Sequence, residues 1–132
     1  MSETPRQSVH LSANPSPAND PPHEAIPVLR VSDAVASAAW YSQLGFVEDW
    51  RHQHEPNFPW FMSVSTPDGA TIFLSEHVGD AAAGGSVYLV TRDVDAIAVV
   101  LGLQARKMPW GDRECSTSDP DGNTVRISQP AD

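Results

Sequence analysis

The chain has 132 residues, enough for one domain or for two small repeated modules sharing a core. Asp and Glu number 17 against 8 Lys and Arg, a formal charge of −9, which is the wrong sign for neutralising phosphates and argues against a nucleic-acid partner. Apolar runs are too short for a membrane span, and a single cysteine, Cys115, excludes an intrachain disulfide and a cysteine zinc cluster.

The chain opens Met1-Ser2-Glu3-Thr4-Pro5, without the basic and apolar stretches of a leader, so a cytoplasmic protein is expected. Pro5, Pro15, Pro17, Pro21 and Pro22 crowd a segment with few large apolar residues, and residues 1–23 read as a disordered tail before a single domain over 24–132. Ile26 to Val31 reads as a strand. Ser32-Asp33 then offers an N-cap to a helix in which Val35, Ala38, Ala39 and Ser42 recur at helical spacing. Leu44-Gly45-Phe46 ends that helix, the glycine taking the left-handed position after the last turn. Strands are predicted over Phe46 to His52, Trp60 to Ser65 and Thr71 to Ser75, with Pro67-Asp68-Gly69 turning between the last two.

The second half repeats this order. Gly85 to Thr91 is a strand, Asp93 an N-cap, Ile97, Val100 and Leu101 a helical stripe, and Gly102-Leu103 a terminator. Thr66 to Ser75 matches Asp119 to Ser128 at an offset of 53, while Leu29 to Asp33 matches Leu89 to Asp93 at an offset of 60. Pro, Asp, Gly, Thr and Ser recur identically in the first match. The predicted fold is therefore α+β: two tandem β-α-β-β-β modules, 25–78 and 84–129, forming a concave mixed sheet with helices on the outside. Alternation along the last strands places Thr71, Phe73, Ser75, Thr124, Arg126 and Ser128 toward the cleft, and Ile72, Leu74, Val125 and Ile127 in the core. His52 and His54 read as an exposed strand face, and Cys115 as a buried, inert thiol.

Paired modules with Asp119-Pro120-Asp121-Gly122-Asn123 before the last strand resemble the vicinal oxygen chelate superfamily. That group includes glyoxalase I, extradiol dioxygenases, fosfomycin resistance enzymes and bleomycin resistance proteins. The resemblance runs over residues 25–129. It is most similar to the bleomycin-binding branch, through Leu44-Gly45-Phe46, Thr71 to Ser75, Pro109-Trp110-Gly111 and Arg113-Glu114. The chain departs from that branch at Asp112, an extra residue after Gly111, and in the loop from Gln53 to Phe58.

The resemblance implies four metal-ligand positions, at Ile26, Phe73, Ser86 and Arg126. None is a usual donor, since Ile and Phe lack donor atoms, Ser is poor and Arg repels a cation. No metal and no cofactor are therefore expected, nor the metal-dependent isomerase, dioxygenase or glutathione-transfer chemistry of the group. The branch instead implies a homodimer that sequesters a small cationic antibiotic with a flat aromatic tail, without turnover. The branch's aromatic contacts map here to Trp110 and Trp50; Phe73 and Arg126 line the same cleft by alternation, and the acidic residues near the groove, Glu114 and Asp112, are expected to attract the cationic end. Two other readings stay open: a lyase-like or dioxygenase-like enzyme of the superfamily, and a binding module for another small aromatic molecule.

Overall fold

The structure is a computed structural model that describes residues 23–132. The tail expected over 1–23 falls, His23 apart, outside the described residues. The first module runs β1 (Val28–Arg30), α1 (Ala34–Tyr41), a 3-10 turn (Ser42–Leu44), β2 (Val47–Gln53), β3 (Trp60–Ser65) and β4 (Thr71–Ser75). The second runs β5 (Ser86–Val90), α2 (Val94–Leu101), β6 (Arg106–Lys107), β7 (Arg113–Ser118) and β8 (Thr124–Gln129).

Local chemistry explains the starts and stops. The Asp33 carboxylate accepts from Ala36 N at 3.0 Å and that of Asp93 from Ala96 N at 3.1 Å, so each helix begins on a side-chain cap. Gly45 and Gly102 follow the helical turns at φ of 94° and 72°, a region that residues with a Cβ enter at a cost.

The helix faces differ from the expected ones. Ala34, Ser37 and Tyr41 are the buried positions of α1, while Val35, Ala39 and Ser42 are exposed. An alanine-rich helix has little contrast between its faces, and Tyr41, the bulkiest residue it buries, sets the rotation. In α2, Val94 and Ala98 are buried and Ile97 and Leu101 pack beside them, but Val100 is 58% exposed.

The strands form two four-stranded mixed sheets, in the orders β1-β4-β3-β2 and β5-β8-β7-β6, one from each module of the expected tandem α+β fold. β1 pairs with β4, and β5 with β8, in parallel; the other neighbours are antiparallel. No ladder joins β1 to β5 among the described residues, so the modules are held by packing and by a polar seam. Leu29, Val31, Met62 and Leu74 of the first module share one cluster with Val125 and Ile127 of the second, all at most 2% exposed. Ile72, Leu74, Val125 and Ile127 thus lie in the core, as alternation requires.

The seam is built by the turn before β8. Asp119 accepts from Asp121 N at 2.9 Å and Asn123 N at 3.0 Å through Oδ1, and from Tyr41 Oη at 2.8 Å and Asn123 Nδ2 at 2.9 Å through Oδ2. Asn123 also donates to Arg30 O at 3.0 Å and accepts from Gly85 N at 2.8 Å, while Asp121 accepts from Ser32 N at 3.0 Å. Asp119 and Asn123 are buried and fully engaged. The Asp-Pro-Asp-Gly-Asn motif is therefore a fastener between modules.

Candidate functional site

The six residues predicted to bind ligand fall into separate groups. Trp50 and Phe73 lie on the first sheet, on the side away from the shared core. With Phe61 they form a cluster against which Ile26 and Val28 pack. Ring centroids are 6.0 Å apart for Trp50–Phe61, 5.4 Å for Trp50–Phe73 and 5.1 Å for Phe61–Phe73. A bulge between Glu48 and Trp50 adds Asp49, which accepts from Ser63 Oγ at 2.8 Å and Ser65 Oγ at 2.5 Å, and re-aims the strand. Trp50 is 8% exposed, so its ring is spent on Phe61 and Phe73 and does not form an open wall opposite Trp110.

The four positions that the resemblance implies for a metal do not make a donor ring. Phe73 stands across from Val28, with Ile26 ahead of the strand and packed on the aromatic cluster. Arg126 stands across from Tyr88, and Ser86 from Thr124. A divalent ion needs nitrogen, oxygen or sulfur donors. One half supplies hydrocarbon, and the other a guanidinium and a hydroxyl, so these residues do not fit it.

The second sheet carries a pocket of about 450 Å³ whose lining includes Leu103, Arg106, Met108, Trp110, Glu114 and Arg126. Its edge is a tight loop: Met108 N donates to Asp112 O at 2.7 Å and Gly111 N to Met108 O at 2.8 Å, with Gly111 at φ of 106°. Asp112 Oδ1 accepts from Ala131 N at 3.0 Å, tying the loop to the end of the chain. This anchoring leaves Trp110 58% exposed over the pocket.

The acidic pair expected to draw a cation is already committed. Asp112 holds the terminal segment and does not line the pocket. Glu114 accepts from Arg126 Nη2 at 2.8 Å and from Tyr88 Oη at 3.1 Å, and the Arg126 guanidinium lies 4.9 Å from the Tyr88 ring centre. The bond from Arg126 holds the Glu114 carboxyl below the usual carboxylate range, against the opposing pull of desolvation and with further help from Tyr88. Cys115 also lines the pocket; burial raises its thiol pKa, and Asp95 adds to the effect, so it is a poor nucleophile. His52 is half-buried and His54 exposed, and no group of three or more His, Cys, Asp or Glu residues suited to a metal occurs among the described residues.

Sequence reasoning missed Tyr88 and Arg106. The repeat contained a signal for the first, because alternation from Ser86 puts Tyr88 on the same face two residues on. Arg106 sits in a two-residue strand that has no hydrophobic pattern to reveal it.

A family profile described as "Glyoxalase superfamily protein" matches residues 22–132. The chain belongs to the glyoxalase superfamily. No curated protein matches it. Several solved structures share the fold of this glyoxalase-superfamily chain. One is a member of the glyoxalase/bleomycin resistance protein/dioxygenase superfamily from Sphaerobacter thermophilus DSM 20745, at 27% identity and a TM-score of 0.66, covering 82% of this chain and 98% of that one. A bleomycin-binding protein complexed with bleomycin aligns at 22% identity and 0.65, with the same coverages. An antibiotic binding protein from Streptomyces sp. CB03234 aligns at 22% identity and 0.63, covering 85% and 100%. No helix among the described residues is long and apolar enough to cross a membrane.

Proposed function

We propose that this chain binds and sequesters a small aromatic antibiotic of the bleomycin type, and releases it unchanged. The observation that carries this reading is Trp110, an indole left open over a pocket whose one lining carboxylate, Glu114, is paired with Arg126 and whose thiol, Cys115, has its pKa raised by burial. The side chains at the four ligand positions offer no set of metal donors. The fold it shares with two antibiotic-binding proteins supports the same reading. An aromatic platform contributes about 0.5–1.5 kcal/mol beyond the area it buries. Trp110→Ala, which loses both contributions, should therefore weaken bleomycin binding at least tenfold, about 1.4 kcal/mol. Calorimetric titration of the two proteins measures this, and mass spectrometry of recovered bleomycin checks that it is intact. No heat of binding at high micromolar bleomycin, or a ligand of altered mass, sinks the proposal.

We also propose a homodimer. β1 and β2 edge the first sheet and β5 and β6 the second, and strand edges call for cover. Val47, beside an outer edge, is largely exposed. Sedimentation should give a mass near twice 14.3 kDa; a monomer at tens of micromolar rules out a groove shared between chains.

A further inference from the structure

The charge of the Trp110 pocket runs against the charge of the molecule. The chain as a whole is −9, yet the pocket lining holds two guanidiniums, Arg106 and Arg126, against one carboxylate, Glu114. Glu114 is buried and engaged by both Arg126 and Tyr88. The Arg126 side chain is 44% exposed, lies over the Tyr88 ring and bonds Glu114 through Nη2. Arg106 is the Cα partner of Glu114 across β6 and β7, so both side chains stand on one face of the sheet. Arg106 is exposed and has no ion pair or hydrogen bond from its side chain among the described residues. Lys107 follows it, while Arg113 is taken by Asp95 at 2.6 Å. The walls around these charges are Leu103, Met108 and the Trp110 indole.

From this arrangement we propose that the pocket takes an aromatic oxyanion, with the ring on Trp110 and a carboxylate or similar group on Arg106. The proposal rests on the reading above only in taking Trp110 as a ligand platform, and it puts an anionic end in this pocket in place of the cationic end of a bleomycin-type ligand. A guanidinium suits a carboxylate because its planar fork gives two parallel N–H bonds. A cationic end would meet Arg106 and Arg126, with the one carboxylate of the lining already paired.

Three probes with one ring system and different charge test the idea: 2-naphthoate, 2-naphthamide and 2-naphthylmethylammonium. Titration followed by the indole N–H resonances of 15N-labelled protein locates binding and measures it. We expect 2-naphthoate to move the Trp110 resonance and to bind at least tenfold tighter than the ammonium probe. High salt should narrow that gap. Arg106→Gln should weaken 2-naphthoate severalfold more than 2-naphthamide and so narrow the preference, and its unchanged spectrum elsewhere confirms the fold. Equal or tighter binding of the ammonium probe, an unaltered preference in Arg106→Gln, or no response to any probe at millimolar concentration each overturns the proposal. A parallel bleomycin titration separates the two readings: bleomycin bound without a charge preference among the probes defeats this inference alone, whereas 2-naphthoate bound without bleomycin defeats only the bleomycin assignment.

Discussion

Tyr41 shows how one side chain links a helix to the opposite module. Its hydroxyl donates to Asp119, and the tyrosine is fully buried. Burial pushes the phenol pKa far above its ordinary 10.0, and the bond to Asp119 and the charges of Asp119 and Asp121 push it further. The unfolded chain loses this proton near pH 10 while the folded chain keeps it, so the stabilisation is present below pH 10 and falls as pH rises beyond it. Urea midpoints measured from pH 8 to 11 should fall, and Tyr41→Phe should flatten the alkaline part of that slope. At neutral pH the same variant should cost about 1–2 kcal/mol, because Asp119 keeps its other bonds but loses a buried donor. An unchanged alkaline slope in Tyr41→Phe would refute this account. The same bond explains why Tyr41 outweighs Val35 in setting the buried face of α1.

At the scale of elements, short-range chemistry transferred well from sequence to structure. Both N-caps, both glycine terminators and the strands Trp60–Ser65 and Thr71–Ser75 occur where residue type and spacing put them. The failures share a cause. Val100 and Val35 are apolar but exposed, because a helix eight residues long presents few positions to a small sheet and its rotation is chosen by the neighbour it packs on. β1 is only three residues, shorter than the run Ile26 to Val31 suggests. Its end is defined by where β4 stops offering partners: the last parallel pair is Arg30 with Ser75, and Val31 N donates to Ser75 O.

Across the whole molecule, the two modules are alike in sequence but not in how they join. At the offsets of 53 and 60, Asp119, Asp121, Asn123 and Ser32 correspond to Thr66, Asp68, Ala70 and Arg92. The first set closes one junction by hydrogen bonds. The second set lines a cavity of about 770 Å³, together with Leu44, Leu89 and Ile97. One junction is therefore bonded and the other open, because Ala70 cannot reach as Asn123 does and Thr66 bonds Asp68 and Ala70 N within its own turn. The bonded junction depends on close approach at Gly85, where an added Cβ would lie 3.1 Å from Leu29 Cδ2 and 3.3 Å from Asn123 Oδ1. Gly85→Ala should therefore destabilise the protein by about 1–3 kcal/mol, as overpacking does. Denaturant unfolding measures it, and a neutral or stabilising result would show that the seam yields without cost.

Sequence by itself determined the repeat, the caps and turns and the strand alternation. Each of these is a relation between residues near in the chain or between matched repeats, so it is carried by local sterics and periodicity. Tertiary structure decided the rest. That Trp50 is consumed by Phe61 and Phe73 depends on which strands lie side by side. That Glu114 is paired with Arg126, and that Arg106 and the exposed indole of Trp110 line one pocket, depends on how β6, β7 and β8 lie side by side. Formal charge sums over the whole surface, whereas a ligand meets only the few groups within a Debye length of about 8–10 Å. The chain's charge of −9 therefore said nothing about the sign of the pocket.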